Sequence, residues 1–380
     1  MFILNDPYIS DFLIETIKQN NYKVLDYGLA KNYFSSNNLI SNDNAKAISK
    51  LYLNSENSID WIIQNKPDSL LTNLIKISKD KALFRKMLSK IYPDYYFREV
   101  NLDELKKLDS KNLKYPFVLK PSVGFLSFGV YPIYNENDFK NVVLKIDSDI
   151  EKLKGVFPLS VVDCTNFLIE EMIEGEEFAI DAYFDENGEA IILNIFQHPF
   201  LDKNDVSDRV YYTSKSIIQN YLKPFKELLD KIAKEGNYKN FPFHLELRMN
   251  ENKIIPIEIN PMRFCGWCIT DIAYFAWEIN PYIYFMENKK PDWEEILKSK
   301  NNDYFYFTIG DIPSGIDKTF IKKINFEKYL KNISNPLEIR KIDYKTKPVF
   351  AIVFGRCNNI EEINNLLKLN MKEFIELEKY

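Results

Sequence analysis

Glu246, Glu258 and Asn260 are the residues whose types and spacing could hold a metal ion. They sit in two stretches of alternating character. In Phe243-His244-Leu245-Glu246-Leu247-Arg248-Met249 every second residue is apolar. Side chains alternate across a strand, so Phe243, Leu245, Leu247 and Met249 share one face, and His244, Glu246 and Arg248 the other. Ile254 to Asn260 repeats the pattern, with Ile255, Ile257 and Ile259 on one face and Pro256, Glu258 and Asn260 on the other. For both apolar faces to meet one core, opposed residue numbers must sum to an even value. A three-residue turn, Glu251-Asn252-Lys253, then sets Glu246 opposite Glu258 and His244 opposite Asn260. Two directly opposed carboxylates repel. A divalent cation removes that penalty. Two carboxylates and an amide oxygen suit Mg²⁺, which keeps several waters and takes phosphate oxygens from a substrate. A solvated polar face with Arg248 as its counter-charge would show the same pattern.

The elements that must position this hairpin read as α/β (α+β). Phe2-Ile3-Leu4, Val24-Leu25 and Leu51-Tyr52-Leu53 are short apolar runs, with a helical pattern through Phe12, Leu13 and Ile17 between the first two. This βαβ rhythm predicts a small parallel sheet over residues 1–75. Asp6 and Ser10 follow its first strand, where ligands of open α/β sheets bind, although simple N-capping also explains them. Residues 76–112 read as charged helix with a strand near Tyr96–Val100. Strands and hairpins dominate from Pro116 to about residue 200, with one helix near 136–146. A long amphipathic helix covers 214–236 and leads into the acidic hairpin. The last segment, 303–380, carries strands near Tyr304–Ile309 and Val349–Phe354 and a helix from about Ile360, with no role legible in its residues.

Glu258-Ile259-Asn260-Pro261, preceded at twelve residues by Glu246, resembles the metal motif of the ATP-grasp superfamily, whose members include D-alanine–D-alanine ligase, biotin carboxylase and many peptide ligases. The resemblance makes Glu246, Glu258 and Asn260 ligands of two Mg²⁺ ions, with Mn²⁺ as a substitute, that bridge the phosphates of ATP. Other landmarks stand in order. Lys81, ahead of Phe84 and Arg85, resembles the first nucleotide lysine. Lys120, in Phe117-Val118-Leu119-Lys120-Pro121, resembles the second, and Ser122 to Val130 the loop that closes over the phosphates. Leu168-Ile169-Glu170-Glu171-Met172-Ile173 resembles the hinge at the adenine edge, with Glu170 acting through its side chain and Glu171 and Ile173 through backbone groups. Glu177 matches the acid that binds the ribose hydroxyls. The chain departs from the family in two places. Its phosphate loop keeps only Gly124 and Gly129, and Arg263 stands three residues after Asn260 rather than two.

The resemblance implies a pre-grasp domain over 1–75, a two-subdomain ATP-grasp with antiparallel sheets over 76–302, a lid at about 113–169, and a C-terminal α/β extension over 303–380. It implies an ATP-dependent carboxylate–amine ligase acting on small molecules, amino acids or peptides, through an acyl phosphate. Lys120 and Arg263 are then the catalytic cations, Arg263 facing the transferred phosphate. An ATP-grasp kinase or phosphotransferase is the alternative, as is a nucleotide-binding regulatory protein without turnover.

Composition narrows the partners. Fifty Lys and Arg against 55 Asp and Glu give a net charge of −5, which argues against a nucleic-acid partner. No apolar run approaches the roughly 18–20 residues of a spanning helix, and the N-terminus lacks the pattern of a signal peptide. A cytoplasmic protein without a membrane partner is the expectation, and homo-oligomerisation stays open. Four cysteines are too few for a disulfide scaffold, and two histidines exclude a multi-His zinc site. Cys265-Gly266-Trp267-Cys268 has thioredoxin-like spacing but follows a metal strand, so two buried or loop thiols are expected. His198 reads as a hydrogen-bonded loop histidine or a pocket residue. Arg209, Tyr211, Tyr212 and Thr213 read as a surface strand pair or a carboxylate clamp.

Overall fold

The computed structural model describes residues 1–378 apart from 124–128, 154–162, 203–204, 206 and 252, and gives no side chains for 152–153 and 163–164. Among the described residues, no helix is long and apolar enough to cross a membrane.

The N-terminal sheet has four short strands, β1 (Phe2–Ile3), β2 (Val24–Leu25), β3 (Leu39–Ile40) and β4 (Tyr52–Leu53). They are parallel in the order β3-β2-β1-β4, as the βαβ rhythm predicts. β3 is the strand missing from the sequence reading. It is two half-buried residues inside a polar stretch, too short to show a period. Ser10 caps helix Asp11–Gln19 through a bond from Leu13 N–H.

A second unit is a small antiparallel sheet of β5 (Phe97–Asn101), β6 (Phe117–Val123), β7 (Tyr131–Ile133) and β8 (Asp163–Glu171), ordered β5-β8-β6-β7. It has its own core, in which Phe117, Leu119, Phe167 and Ile169 meet Phe139, Val142 and Ile146 of helix Glu136–Leu153. The predicted phosphate-loop residues Gly124, Phe125, Leu126 and Phe128 lie outside the described residues.

The main sheet has eight strands. They are β9 (Glu176–Phe184), β10 (Ala190–His198), β11 (Val210–Thr213), β12 (Phe241–Met249), β13 (Ile254–Pro261), β14 (Tyr304–Asp311), β16 (Pro336–Lys341) and β17 (Val349–Cys357). The order is β13-β12-β9-β10-β11-β14-β17-β16. β15 (Ile321–Ile324) pairs separately with β18 (Ile375–Leu377). Strands β14, β16 and β17 of the C-terminal segment therefore complete the sheet that begins with the acidic hairpin. Helix Lys215–Gly236 covers β9 and β10, setting Tyr221 and Phe225 against Phe178.

The hairpin has the register that parity requires at its chemical end. Glu246 opposes Glu258, and His244 opposes Asn260. The turn differs from expectation. Met249 pairs with Ile254, so four positions, 250–253, make the turn, and a bulge after Glu246 restores the register. The extra residue, Ile257, is left between the two halves of the ladder.

Candidate active site

The three predicted metal residues converge. Asn260 Nδ2 lies 3.4 Å from Glu246 Oε1 and 3.4 Å from Glu258 Oε1. Burial and the nearby carboxylates of Glu258, Glu177 and Asp208 push Glu246 well above the usual carboxylate range. Burial also opposes the charge on Glu258, but Lys81 Nζ at 2.6 Å outweighs it and holds that carboxyl low. Arg248 does not serve as counter-charge to this face. Its Nε donates to Glu177 Oε2 at 2.9 Å and its Nη1 to the Ile173 carbonyl at 3.0 Å. Two opposed carboxylates, one of them paired with an ammonium, beside an amide whose oxygen is an acceptor, fit a hard divalent cation. Among the described residues no group of three His, Cys, Asp or Glu side chains is placed to hold a metal.

Lys81 is presented by its helix. The Asp80 side chain caps helix Lys81–Leu88 by accepting from Ala82 and Leu83 N–H. Lys81 thus occupies the first helical position, and Arg85, four residues on, lies on the same face. Arg85 is a residue the sequence reading quoted without a role. Its Nε donates to Glu170 Oε2 at 2.5 Å and its Nη1 to the Pro256 carbonyl at 2.5 Å. Lys120 Nζ meets the other oxygen, Glu170 Oε1, at 2.5 Å. All three side chains are buried. Burial disfavours the charge on Glu170, yet Arg85 and Lys120 hold its carboxyl at about 2. Burial, together with Arg85 and Lys81, lowers Lys120 despite Glu170. Arg85 therefore joins the helix of Lys81, the strand of Glu170 and the edge of the acidic hairpin.

The other predicted nucleotide residues are engaged within the protein. Glu171 N–H donates to the Tyr96 carbonyl at 3.0 Å, and its carbonyl accepts from the Tyr95 hydroxyl at 3.0 Å. The Ile173 carbonyl accepts from Arg248. Each carbonyl keeps a second lone pair. Glu177 accepts from His198 Nδ1 at 3.0 Å and from Arg248 Nε. Burial opposes its charge, but these two donors hold it below the usual range.

A cavity of about 340 Å³ opens beside Glu246, Glu258 and Asn260. Asp6, Asn54 and Glu56 come from the N-terminal sheet, Glu246, Glu258, Asn260 and Arg263 from the hairpin, and Phe307, Ile309 and Lys347 from the C-terminal segment. Glu56 is the main residue that sequence reasoning missed. Its carboxylate is buried, accepts from Arg263 Nε at 3.0 Å and Nη2 at 2.6 Å, and pairs with Lys79. The Leu53 N–H donates to the Met262 carbonyl at 2.8 Å, so the N-terminal sheet docks on the loop that carries Arg263. Met262 has φ of 66°, a left-handed value uncommon outside glycine. A short polar run, Asn54-Ser55-Glu56, just after a strand was the available signal.

His198 is buried, bonded to Glu177 and to the Ser207 carbonyl, and ends β10 rather than lying in a loop. Arg209 bonds the Leu367 and Leu369 carbonyls and Asp311, so it clamps a helix end and is not among the cavity residues. Tyr211 does line the cavity. Cys265 and Cys268 are free and buried. Their loop is held by Arg340, which bonds the Trp267 and Cys268 carbonyls and Asp271.

Residues 113–271 match the family described as the ATP-grasp domain. The chain is 26% identical over 163 residues to a D-alanine–D-alanine ligase of Petrotoga mobilis, a match covering 40% of this chain and 49% of that protein. It thus spans about half the length of that relative. The L-amino acid ligase from Bacillus licheniformis superposes with a TM-score of 0.70 at 15% identity, covering 100% of this chain and 98% of that one. The biotin carboxylase domain of the 2-oxoglutarate carboxylase from Hydrogenobacter thermophilus, solved with MgADP, ADP and bicarbonate, gives 0.64 at 14% identity, covering 99% and 90%.

Proposed function

We propose that this protein is an ATP-dependent carboxylate–amine ligase that forms an amide or peptide bond through an acyl phosphate. The observation that carries the reading is the opposed Glu246–Glu258 pair, with Asn260, at the wall of a cavity large enough for a small molecule. Glu246, Glu258 and Asn260 would hold Mg²⁺, which neutralises phosphate charge when bound. Lys120 would approach the phosphates from the lid side and Lys81 from the start of its helix, exchanging their present carboxylate partners for phosphate oxygens. Glu170, Glu171 and Ile173 would frame the adenine, and Glu177 the ribose. Arg263, fixed by Glu56 in the cavity wall, would meet the transferred phosphate and the developing oxyanion. The substrate carboxylate attacks the γ-phosphate, ADP leaves, and an amine then displaces phosphate from the acyl carbon. Closure of the lid sheet would keep water from the acyl phosphate.

The test is ADP release from Mg²⁺-ATP over pooled amino acids and metabolite carboxylates, with Glu258→Ala and Lys120→Ala beside the unaltered protein. Turnover that needs an acid and an amine together, and is lost in both variants, supports a ligase. Turnover with one acceptor alone supports a phosphotransferase. Activity that persists in Glu258→Ala overturns the metal assignment.

A further inference from the structure

The acidic hairpin has one open side. β13 is the edge strand of the eight-stranded sheet, so carbonyls on its outer side find no strand partner among the described residues. Side chains from the segment that begins with Lys81 take that place. The Tyr92 hydroxyl donates to the Ile254 carbonyl at 2.5 Å. Arg85 donates through Nη1 to the Pro256 carbonyl at 2.5 Å and through Nη2 to the Ile257 carbonyl at 3.4 Å. Residue 257 is the bulge, and Glu258 follows it directly. The Arg85 fork therefore fixes the strand where it delivers a predicted metal residue.

The same guanidinium serves the other end of the nucleotide site. Its Nε donates to Glu170 Oε2 at 2.5 Å. It also lies over the Tyr95 ring, 4.7 Å from the centroid, and the Tyr95 hydroxyl donates to the Glu171 carbonyl at 3.0 Å. Glu170 and Glu171 are the acceptors proposed to frame adenine. Lys120 now shares Glu170 with Arg85, but Lys120 is the cation proposed to leave for a phosphate oxygen. Arg85 would then be the counter-ion that stays, and a buried carboxylate needs one. Arg85 is buried and is not among the cavity residues, so it is no substrate contact.

We infer that Arg85 is a positioning residue that sets base recognition and metal binding in one geometry. Its Nε holds the Glu170 carboxylate as acceptor for the 6-amino group of adenine, and its Nη fork holds the strand of Glu258. The inference rests on the nucleotide-site reading above. It goes beyond that reading in naming a residue that touches neither ligand and governs both. The two halves are separable. A lysine at position 85 reaches Glu170 with its ammonium but has no fork for two carbonyls. A phenylalanine at position 95 keeps the ring under the guanidinium and loses only the bond to the Glu171 carbonyl.

The test is equilibrium binding to the full-length protein, which does not require turnover. ADP and its 6-oxo analogue IDP are titrated calorimetrically with Mg²⁺ present. Mn²⁺ is titrated into the ADP complex by electron paramagnetic resonance. The unaltered protein is expected to prefer ADP. Arg85→Lys should keep that preference and weaken Mn²⁺ about tenfold. Tyr95→Phe should do the opposite, narrowing the preference with Mn²⁺ affinity unchanged. Arg85→Met should lose both; if it does not fold, the contrast between the other two variants decides. Unchanged Mn²⁺ affinity in Arg85→Lys overturns the inference. So does a joint fall of preference and Mn²⁺ affinity in both Arg85→Lys and Tyr95→Phe, which is what general structural support would give. An unaltered protein that binds no ADP, or binds ADP and IDP equally, would reject the nucleotide-site reading and the inference with it. The expected contrast in a protein that joins no acid to an amine would reject the ligase and leave Arg85 in its role. Ligase turnover with binding indifferent to both substitutions would do the reverse.

Discussion

Replacing Glu56 by Gln keeps its shape and removes its charge. Two buried cations, Lys79 and Arg263, then lose their shared counter-ion. Burial works against the Glu56 charge, but these two partners hold the carboxyl at about 2, against an ordinary value of 4.5. That gap corresponds to about 3 kcal/mol of folding stability at neutral pH. The sign follows from the direction of the shift. A depressed carboxyl contributes fully above its unfolded value, and the contribution fades as pH falls towards the folded one. Glu56→Gln should therefore cost about 3 kcal/mol at pH 7 and about half of that near pH 3. Other carboxylates titrate in both proteins and drop out of the difference, including Glu170, which is also held at about 2. The assay is urea unfolding of the two proteins across this pH range. A loss below about 1 kcal/mol at pH 7, or one just as large at pH 3, would refute the ion-triad reasoning. Activity gives a second readout. If Glu56 fixes Arg263, kcat falls while the KM for ATP stays put.

Other outcomes can be stated now. Arg340→Met should lose about 3–5 kcal/mol, because Asp271 is left buried without its partner, and the double variant with Asp271→Leu should recover part of it. An undiminished loss in the double variant would show that the pair itself is not the cause. Arg209→Ala should cost about 1–3 kcal/mol through its carbonyl and Asp311 bonds, with every substrate KM unchanged; a raised KM would return Arg209 to the site. Burial pushes the Cys265 thiol well up and the Cys268 thiol to about 11. Both should resist iodoacetamide in the native protein at pH 8 and react after unfolding, as read by mass spectrometry. Fast native labelling would contradict their burial.

What could be read ahead of the structure followed from period and parity. The alternation around Glu246 and Glu258 left one arrangement with both apolar faces in a core, and the observed opposition is that arrangement. The turn was less legible, since one added residue on each side of the ladder leaves the alternation of the outer halves intact. Lys81, Lys120 and Glu170 were singled out through local motifs. Arg85, Glu56 and Arg340 were not, because each acts on a residue far away in the chain, and only tertiary contact reveals its partner. The C-terminal strands had clear periodicity but no address, because strand order across a sheet is not written in any one strand.

The bulge after Glu246 separates two jobs that one hairpin would otherwise share. Below it the pairing follows the turn, and above it the pairing follows the core and the site. The turn end can therefore gain or lose a residue over evolutionary time, with the slack taken up at position 257 and the carboxylates still face to face. Length variation among such proteins should gather at 250–253, and a one-residue insertion engineered there should leave metal affinity intact.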